Sequence, residues 1–373
     1  MGGIRRRSNL HTRVCRDTER GPLHTFFRSQ KRQRGLSALT LPTSAQGISE
    51  SRLARSVGIG RAHAKAIVLG EHAVVYGAPA LALPVRQLTV TASAGWSARS
   101  PDDTGDVSLT TTGSAARPRE TQASDGLRRL TAEFRATMGL TEPLHLDLII
   151  DCAIPAGRGL GSSAACARAV VLALADLFGR DVSPSTAFDL VQTAENVAHG
   201  RASGVDALAV GARAPMLFQA GEAQELSIGC DGLFIVADSG EMGRTKDAVE
   251  LLRTEFQRHS GAQEAFVRRA SRLTEEARQA LTDGKPAQLG ARLTAYHELL
   301  RAVGLSTDRI DALVEAALTA GSLGAKITGG GMGGCVIALT RPEHAREVTR
   351  RLRQAGAVQT WDVPLKGHAD HAL

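Results

Sequence analysis

The chain has 373 residues, 43% of them hydrophobic, which suffices for a sizeable core and suits two domains better than one. Its net charge of +7 would fit a nucleic-acid partner, but the first 55 residues hold eleven Arg and one Lys against Asp17, Glu19 and Glu50, leaving −2 for everything after them. That near-neutral remainder presents no polyanion-binding face, no run of eighteen apolar residues spans a membrane, and five cysteines without a C-x-x-C pair argue against a disulfide framework or a zinc site. The expected setting is a reducing compartment, the cytoplasm.

Residues 1–55, with Arg5-Arg6-Arg7 near their start, read as a solvated, disordered extension. The short apolar pair Phe26-Phe27 cannot serve as the core of a secretory or twin-arginine signal. Short strands are expected at 66–69 and 80–85 around the turn Tyr76-Gly77-Ala78-Pro79, the second continuing through 88–92. Residues 97–125, dense in Ser, Thr, Gly, Asp and Arg, read as an exposed insertion without regular structure. A helix at 127–138 and a strand at 144–151 follow. Helices are then expected at 163–178, closed by Gly179, and at 185–198, closed by His199-Gly200. A weak strand pair (216–219 and 225–228) precedes a strong buried strand at 232–238. The pattern divides the folded part near 228, into domains 56–228 and 229–373. Helices at 246–259, 262–283, 287–303 and 308–320 and a strand at 335–340 complete an α+β chain without internal repeat.

The stretch Ile154-Pro155-Ala156-Gly157-Arg158-Gly159-Leu160-Gly161-Ser162-Ser163-Ala164-Ala165 feeds three glycines and two hydroxyls into an Ala-rich helix. Such a helix start offers unpaired N–H donors and the positive end of a dipole, a seat for phosphate. It has neither the Lys of a Walker loop nor the G-x-G-x-x-G spacing of dinucleotide-binding folds. Ser162 and Ser163 can cap the helix, bind a ligand, or both. Lys65 lies on a strand, and Gly70 permits a tight turn presenting Glu71 and His72. Glu195, in the last turn of its helix, calls for a cation such as phosphate-bound Mg²⁺, and Asp206 stands before the apolar run 207–210 as a base, an orienting acceptor or an N-cap. The glycines from 329 to 334 are too dense for a mere turn and point to close approach of a ligand or of the other domain.

Gly70-Glu71-His72-Ala73-Val74-Val75-Tyr76-Gly77, the 155–165 loop and the 329–335 loop together resemble the three signatures of the GHMP small-molecule kinases. The string E-x-x-x-H-G-x-x-S-G-x-D from Glu195 to Asp206 narrows the resemblance to the mevalonate kinase branch, over about 58–364. The resemblance implies a ribosomal protein S5 domain 2-like N-terminal domain, a ferredoxin-like C-terminal domain, and ATP-dependent phosphorylation of mevalonate with Mg²⁺. It further implies Asp206 and Lys65 as the catalytic pair. It gives Pro155, Gly157, Arg158, Gly159, Leu160, Gly161, Ser162, Ser163 and Ala164 as the nucleotide-binding segment. Ser163 and Glu195 become Mg²⁺ contacts, and Glu71, His72, Ser203, Thr245 and Gly331 the mevalonate side. A homodimer fits the same family, as do, for the activity, a sister kinase such as one for phosphomevalonate or an inactive nucleotide-binding relative. Two positions depart from the pattern: Met332 stands where many relatives have glycine, and Arg158, inside the loop, is expected to point to solvent.

Overall fold

A computed structural model of the chain describes residues 56–97, 107–113, 116–141, 145–200 and 202–366, so the Arg-rich extension 1–55 lies outside the described residues. Strand β1 (Val57–Leu69) pairs antiparallel along β2 (Ala80–Trp96), and both are longer than the apolar runs that signalled them. On its edge away from β1 the 17-residue β2 serves two more partners: its start pairs with β6 (Met216–Gln219) and its end with β5 (Leu146–Cys152). Two hairpins, β3 (Val107–Gly113) with β4 (Ala116–Gln122) and β6 with β7 (Glu222–Glu225), extend the sheet to the order β4-β3-β5-β2-β6-β7, with β1 on β2.

Residues 97–125 are therefore not the structureless insertion expected. Part of them forms the β3–β4 hairpin, and β3 runs parallel to β5. The signal was weak because β3 is rich in hydroxyl residues, which bond across to β5: Ser108 Oγ donates to Asp147 at 2.5 Å and Thr112 Oγ1 to Asp151 at 3.1 Å. Cross-strand hydrogen bonds of this kind replace the apolar alternation by which strands are recognised. The second strand of the weak pair also shifts, to 222–225, because Ala220 (φ 52°) and Gly221 (φ 87°) make a two-residue turn.

Helices α1 (Asp125–Thr137), α2 (Ser162–Leu177) and α3 (Pro184–His199) cover this sheet. Along α2 the buried Ala164, Ala165, Ala169 and Ala173 let the helix lie close on β1 and β2. A five-residue helix, α4 (Val205–Ala209), was not foreseen. Beyond it, β8 (Leu233–Asp238), β9 (Gly324–Thr328), β10 (Cys335–Thr340) and β11 (Gln359–Pro364) form an antiparallel sheet in the order β11-β8-β10-β9. Helices α5 (Thr245–Arg258), α6 (Ala262–Thr282), α7 (Pro286–Ala302) and α8 (Asp308–Thr319) join β8 to β9, and α9 (Ala345–Gln354) joins β10 to β11. This βαββαβ order is the ferredoxin-like arrangement, set beside the first sheet in an α+β chain of two sheets. Among the described residues no helix is long and apolar enough to cross a membrane.

Candidate active site

A cavity of about 380 Å³ opens between the first sheet at Lys65, Ile67 and Ala80 and the residues of α5 and the 329–333 loop, and the glycine loop between β5 and α2 forms one wall. Gly157, Gly159 and Gly161 take φ of 69°, 76° and 73°, a left-handed region closed to most side chains, and they turn the chain onto the start of α2. Gly161 is the N-cap and no side chain caps the helix, so Ser162 and Ser163 keep their hydroxyls for other work. The first-turn amides of this 16-residue helix have no helical carbonyl partner and stand ready for an anion. Ser163 Oγ donates to Glu195 Oε1 at 2.7 Å. Glu195 is 4% exposed; burial pushes its pKa up, the hydroxyl of Ser163 pulls it down, and the charge of Asp206 pushes it up again.

Facing this pair, Lys65 on β1 reaches Asp206 Oδ1 at 2.9 Å and donates to Gly159 O at 3.2 Å. The amine is 3% exposed and the carboxylate, in the first turn of α4, is about one-third exposed. One end of the ion pair is thus anchored in protein and the other faces the cavity. The strand is fixed at this point by Lys65 N donating to Leu160 O at 3.1 Å, which ties the amine's own backbone to the phosphate loop.

At the inner end, the turn after Gly70 (φ 106°) sets Glu71 and His72 against the cavity. Lys326 on β9 is fully buried and pairs with Glu71 Oε1, its ammonium 5.5 Å from the ring centroid of Tyr296. Tyr296 Oη donates to Glu71 O at 3.0 Å. Burial raises the pKa of Glu71 and lowers that of Lys326, and each partner opposes the shift of the other. Glu71 Oε2 and His72 Nε2 are buried without a hydrogen-bond partner among the described residues, so both are free for a ligand. His72 holds φ 63°, and burial brings its imidazole to about 4, leaving it neutral near pH 7.

A folded pKa below the unfolded one means that the unfolded chain takes the proton first on acidification, so stability is lost as pH falls from 6.5 towards 4. Between pH 7.5 and 5 this group alone should remove about 2 kcal/mol. His72→Asn, whose side chain tolerates positive φ, should shrink the loss by that amount in urea unfolding at the two pH values; an unchanged loss would reject the assignment.

Of the expected residues, Lys65, Glu71, His72, Gly157, Gly159 and Gly161 line the cavity, and so do Ser162, Ser163, Glu195, Ser203, Asp206 and Thr245. Pro155, Arg158, Leu160 and Ala164 do not: Leu160 and Ala164 are buried in the core, and Arg158 does not point to solvent but turns to Asp238. Gly331 lies behind His72, while Gly329, Gly330 and Gly333 form the wall. A Cβ on Gly330 would collide with Thr245 Oγ1, so the third glycine loop must be bare to admit the start of α5. Met332 adopts φ 55°, the conformation a glycine would take there, and its amide donates to Leu305 O at 2.8 Å. Sequence reasoning missed Lys326, Tyr296 and Asp238; the one local signal was a lysine set in the apolar strand Gly324–Thr328.

No group of three or more His, Cys, Asp or Glu among the described residues is arranged to hold a metal unaided. Ser163 and Glu195 nevertheless fit Mg²⁺, which is usually bound through one or two carboxylates together with substrate phosphates.

Residues 127–212 match the GHMP kinases N terminal domain and residues 277–358 the GHMP kinases C terminal domain. The chain is 32% identical over 313 residues to the mevalonate kinase of Thermococcus sibiricus, covering 80% of this chain and 93% of that protein. With the mevalonate kinase of Pyrococcus horikoshii it shares 30% identity over 317 residues, covering 80% and 92%. In fold it is similar to the crystal structure of L. major mevalonate kinase in complex with R-mevalonate, with TM-score 0.70 and 20% identity over 84% of this chain and 98% of that one. The chain therefore belongs to the mevalonate kinase family of the GHMP kinases.

Proposed function

We infer that this chain transfers the γ-phosphoryl group of ATP to the primary (C5) hydroxyl of mevalonate, forming 5-phosphomevalonate and ADP in the mevalonate pathway of isoprenoid biosynthesis. The observation that carries this reading is the meeting of the Lys65–Asp206 pair, the start of α2 and the Ser163–Glu195 pair in one cavity. Phosphoryl transfer asks little covalent chemistry of a protein and depends on positioning and on charge stabilisation.

In this reading the triphosphate lies along Gly157–Ser163, where backbone amides receive its oxygens. The hydroxyls of mevalonate donate to the free acceptor of Glu71 and its carboxylate accepts from the neutral imidazole of His72, with Ser203 and Thr245 beside them. Asp206 orients the primary hydroxyl and accepts its proton as the oxygen attacks phosphorus. Lys65 holds Asp206 in place through their ion pair, and its charge favours the developing negative oxygens. Ser163 and Glu195 would hold Mg²⁺, which supplies charge neutralisation at the phosphates.

Glu195→Gln should raise the Mg²⁺ concentration needed for half-maximal rate by about tenfold or more, with a smaller change in the mevalonate KM. An unaltered Mg²⁺ dependence would remove Glu195 from the metal. The reading as a whole is tested by supplying a panel of alcohols with ATP and following ADP. Mevalonate should be turned over best; equal or better turnover of phosphomevalonate assigns the site to the sister reaction, and no turnover of any alcohol leaves a nucleotide-binding protein only.

A further inference from the structure

Arg158 sits between two left-handed glycines of the phosphate loop, yet its guanidinium leaves the cavity and crosses to the second sheet. Nε lies 2.9 Å from Asp238 Oδ1 and 3.2 Å from Oδ2, and Nη2 donates to Gly240 O at 2.9 Å. Asp238 ends β8, and its Oδ1 also accepts Gly240 N at 2.8 Å, so the carboxylate is fixed before the arginine arrives. Both side chains are largely out of water, at 16% and 6% exposure. Main-chain contacts surround the pair: Gly243 N donates to Gly157 O at 2.8 Å, and a Cβ on Gly329 would fall 2.6 Å from Gly159 Cα.

The segment that cradles phosphate is thus held by the other half of the molecule, and its one arginine is neutralised by a carboxylate instead of being offered to the nucleotide. We propose that Arg158 is a positioning residue for ATP, its ion pair with Asp238 clamping Gly157–Gly159 to the end of β8 so that the loop's amides keep their phosphate-binding geometry. A buried ion pair adds little net stability compared with apolar packing, but it fixes geometry, and loss of either partner leaves the other uncompensated. The proposal rests on the reading that ATP occupies this loop.

Two explanations of Arg158 differ in sign. If the arginine acts as a clamp, Asp238→Asn and Arg158→Met should each weaken ATP by about tenfold or more, and the double variant should be no worse than the poorer single one. If the arginine instead reaches the phosphates, freeing it by Asp238→Asn should leave ATP binding unchanged or tighter, and that result overturns the proposal. Arg158→Lys keeps the charge but loses the fork, and should fall between wild type and Arg158→Met. The full chain is measured by calorimetric titration with ATP alone and by separate KM values for ATP and mevalonate. A loss confined to ATP supports the clamp, whereas equal losses for both substrates, or a lower Tm with unchanged ATP affinity, reject it. Wild-type protein that binds ATP but does not phosphorylate mevalonate counts against the proposed reaction and leaves the clamp to be judged by the titration.

Discussion

Asp206→Asn is expected to cut turnover of mevalonate by roughly a hundredfold or more while ATP binding stays within about threefold of wild type. The amide keeps the shape of the carboxylate but cannot accept the proton of the attacking hydroxyl or hold a negative charge beside Lys65. In the structure Lys65 Nζ has two partners, Asp206 Oδ1 at 2.9 Å and Gly159 O at 3.2 Å, so after the substitution the amine retains the loop carbonyl. That surviving bond is why the phosphate loop, and with it the nucleotide, should be little disturbed. Lys65 is only 3% exposed, so the substitution leaves a buried ammonium without its counter-charge and should also lower stability, which urea unfolding reads separately from turnover. The comparison is made between single-turnover rates at saturating ATP and a direct ATP titration. Near-normal turnover would remove Asp206 from proton transfer, and loss of ATP binding in step with turnover would make it part of the nucleotide site instead.

The parts of this site that were legible in the sequence are those whose chemistry is local. Three glycines ahead of an Ala-rich helix announce themselves because the left-handed turns and the close helix packing are demanded within a dozen residues. The structure places Gly157, Gly159 and Gly161 as that demand requires. Strands and helices with apolar periodicity were found for the same reason, to within a few residues, as at 335–340 and 262–283. The β3–β4 hairpin escaped because its residues lack apolar alternation, β3 holding to β5 through Ser108 and Thr112, and α4 because five residues carry too little periodicity.

The long-range pairs were beyond reach for another reason. Lys326 and Glu71 are separated by 255 positions and Arg158 and Asp238 by 80, and no spacing rule links residues whose meeting is decided by the packing of two sheets. What the sequence displayed was only their oddity: a lysine among small and apolar residues at 324–328, a stretch not read as a strand, and an arginine inside a loop of glycines. Each oddity marked a real contact between the halves of the molecule.

Lys326→Met should therefore do two separable things. Removing the ammonium leaves the carboxylate of Glu71 buried at 5% exposure with no compensating cation bonded to it, a change expected to lower stability by about 3–5 kcal/mol. Burial already pushes Glu71 upward, and with its main opposing partner gone the carboxyl should move further up and hold a proton more readily. A protonated Glu71 no longer offers an anionic acceptor at Oε2, so the mevalonate KM should rise by about tenfold or more while ATP affinity changes little. The double variant Lys326→Met/Glu71→Gln separates the two effects. With neither charge present, much of the lost stability should return in urea unfolding, yet the mevalonate KM should stay high because the anionic acceptor is still missing. A double variant that regains both would reduce the pair to a structural tie between β9 and the turn after β1. Lys326→Met with an unchanged mevalonate KM would show that Glu71 reaches its substrate without help from the buried lysine.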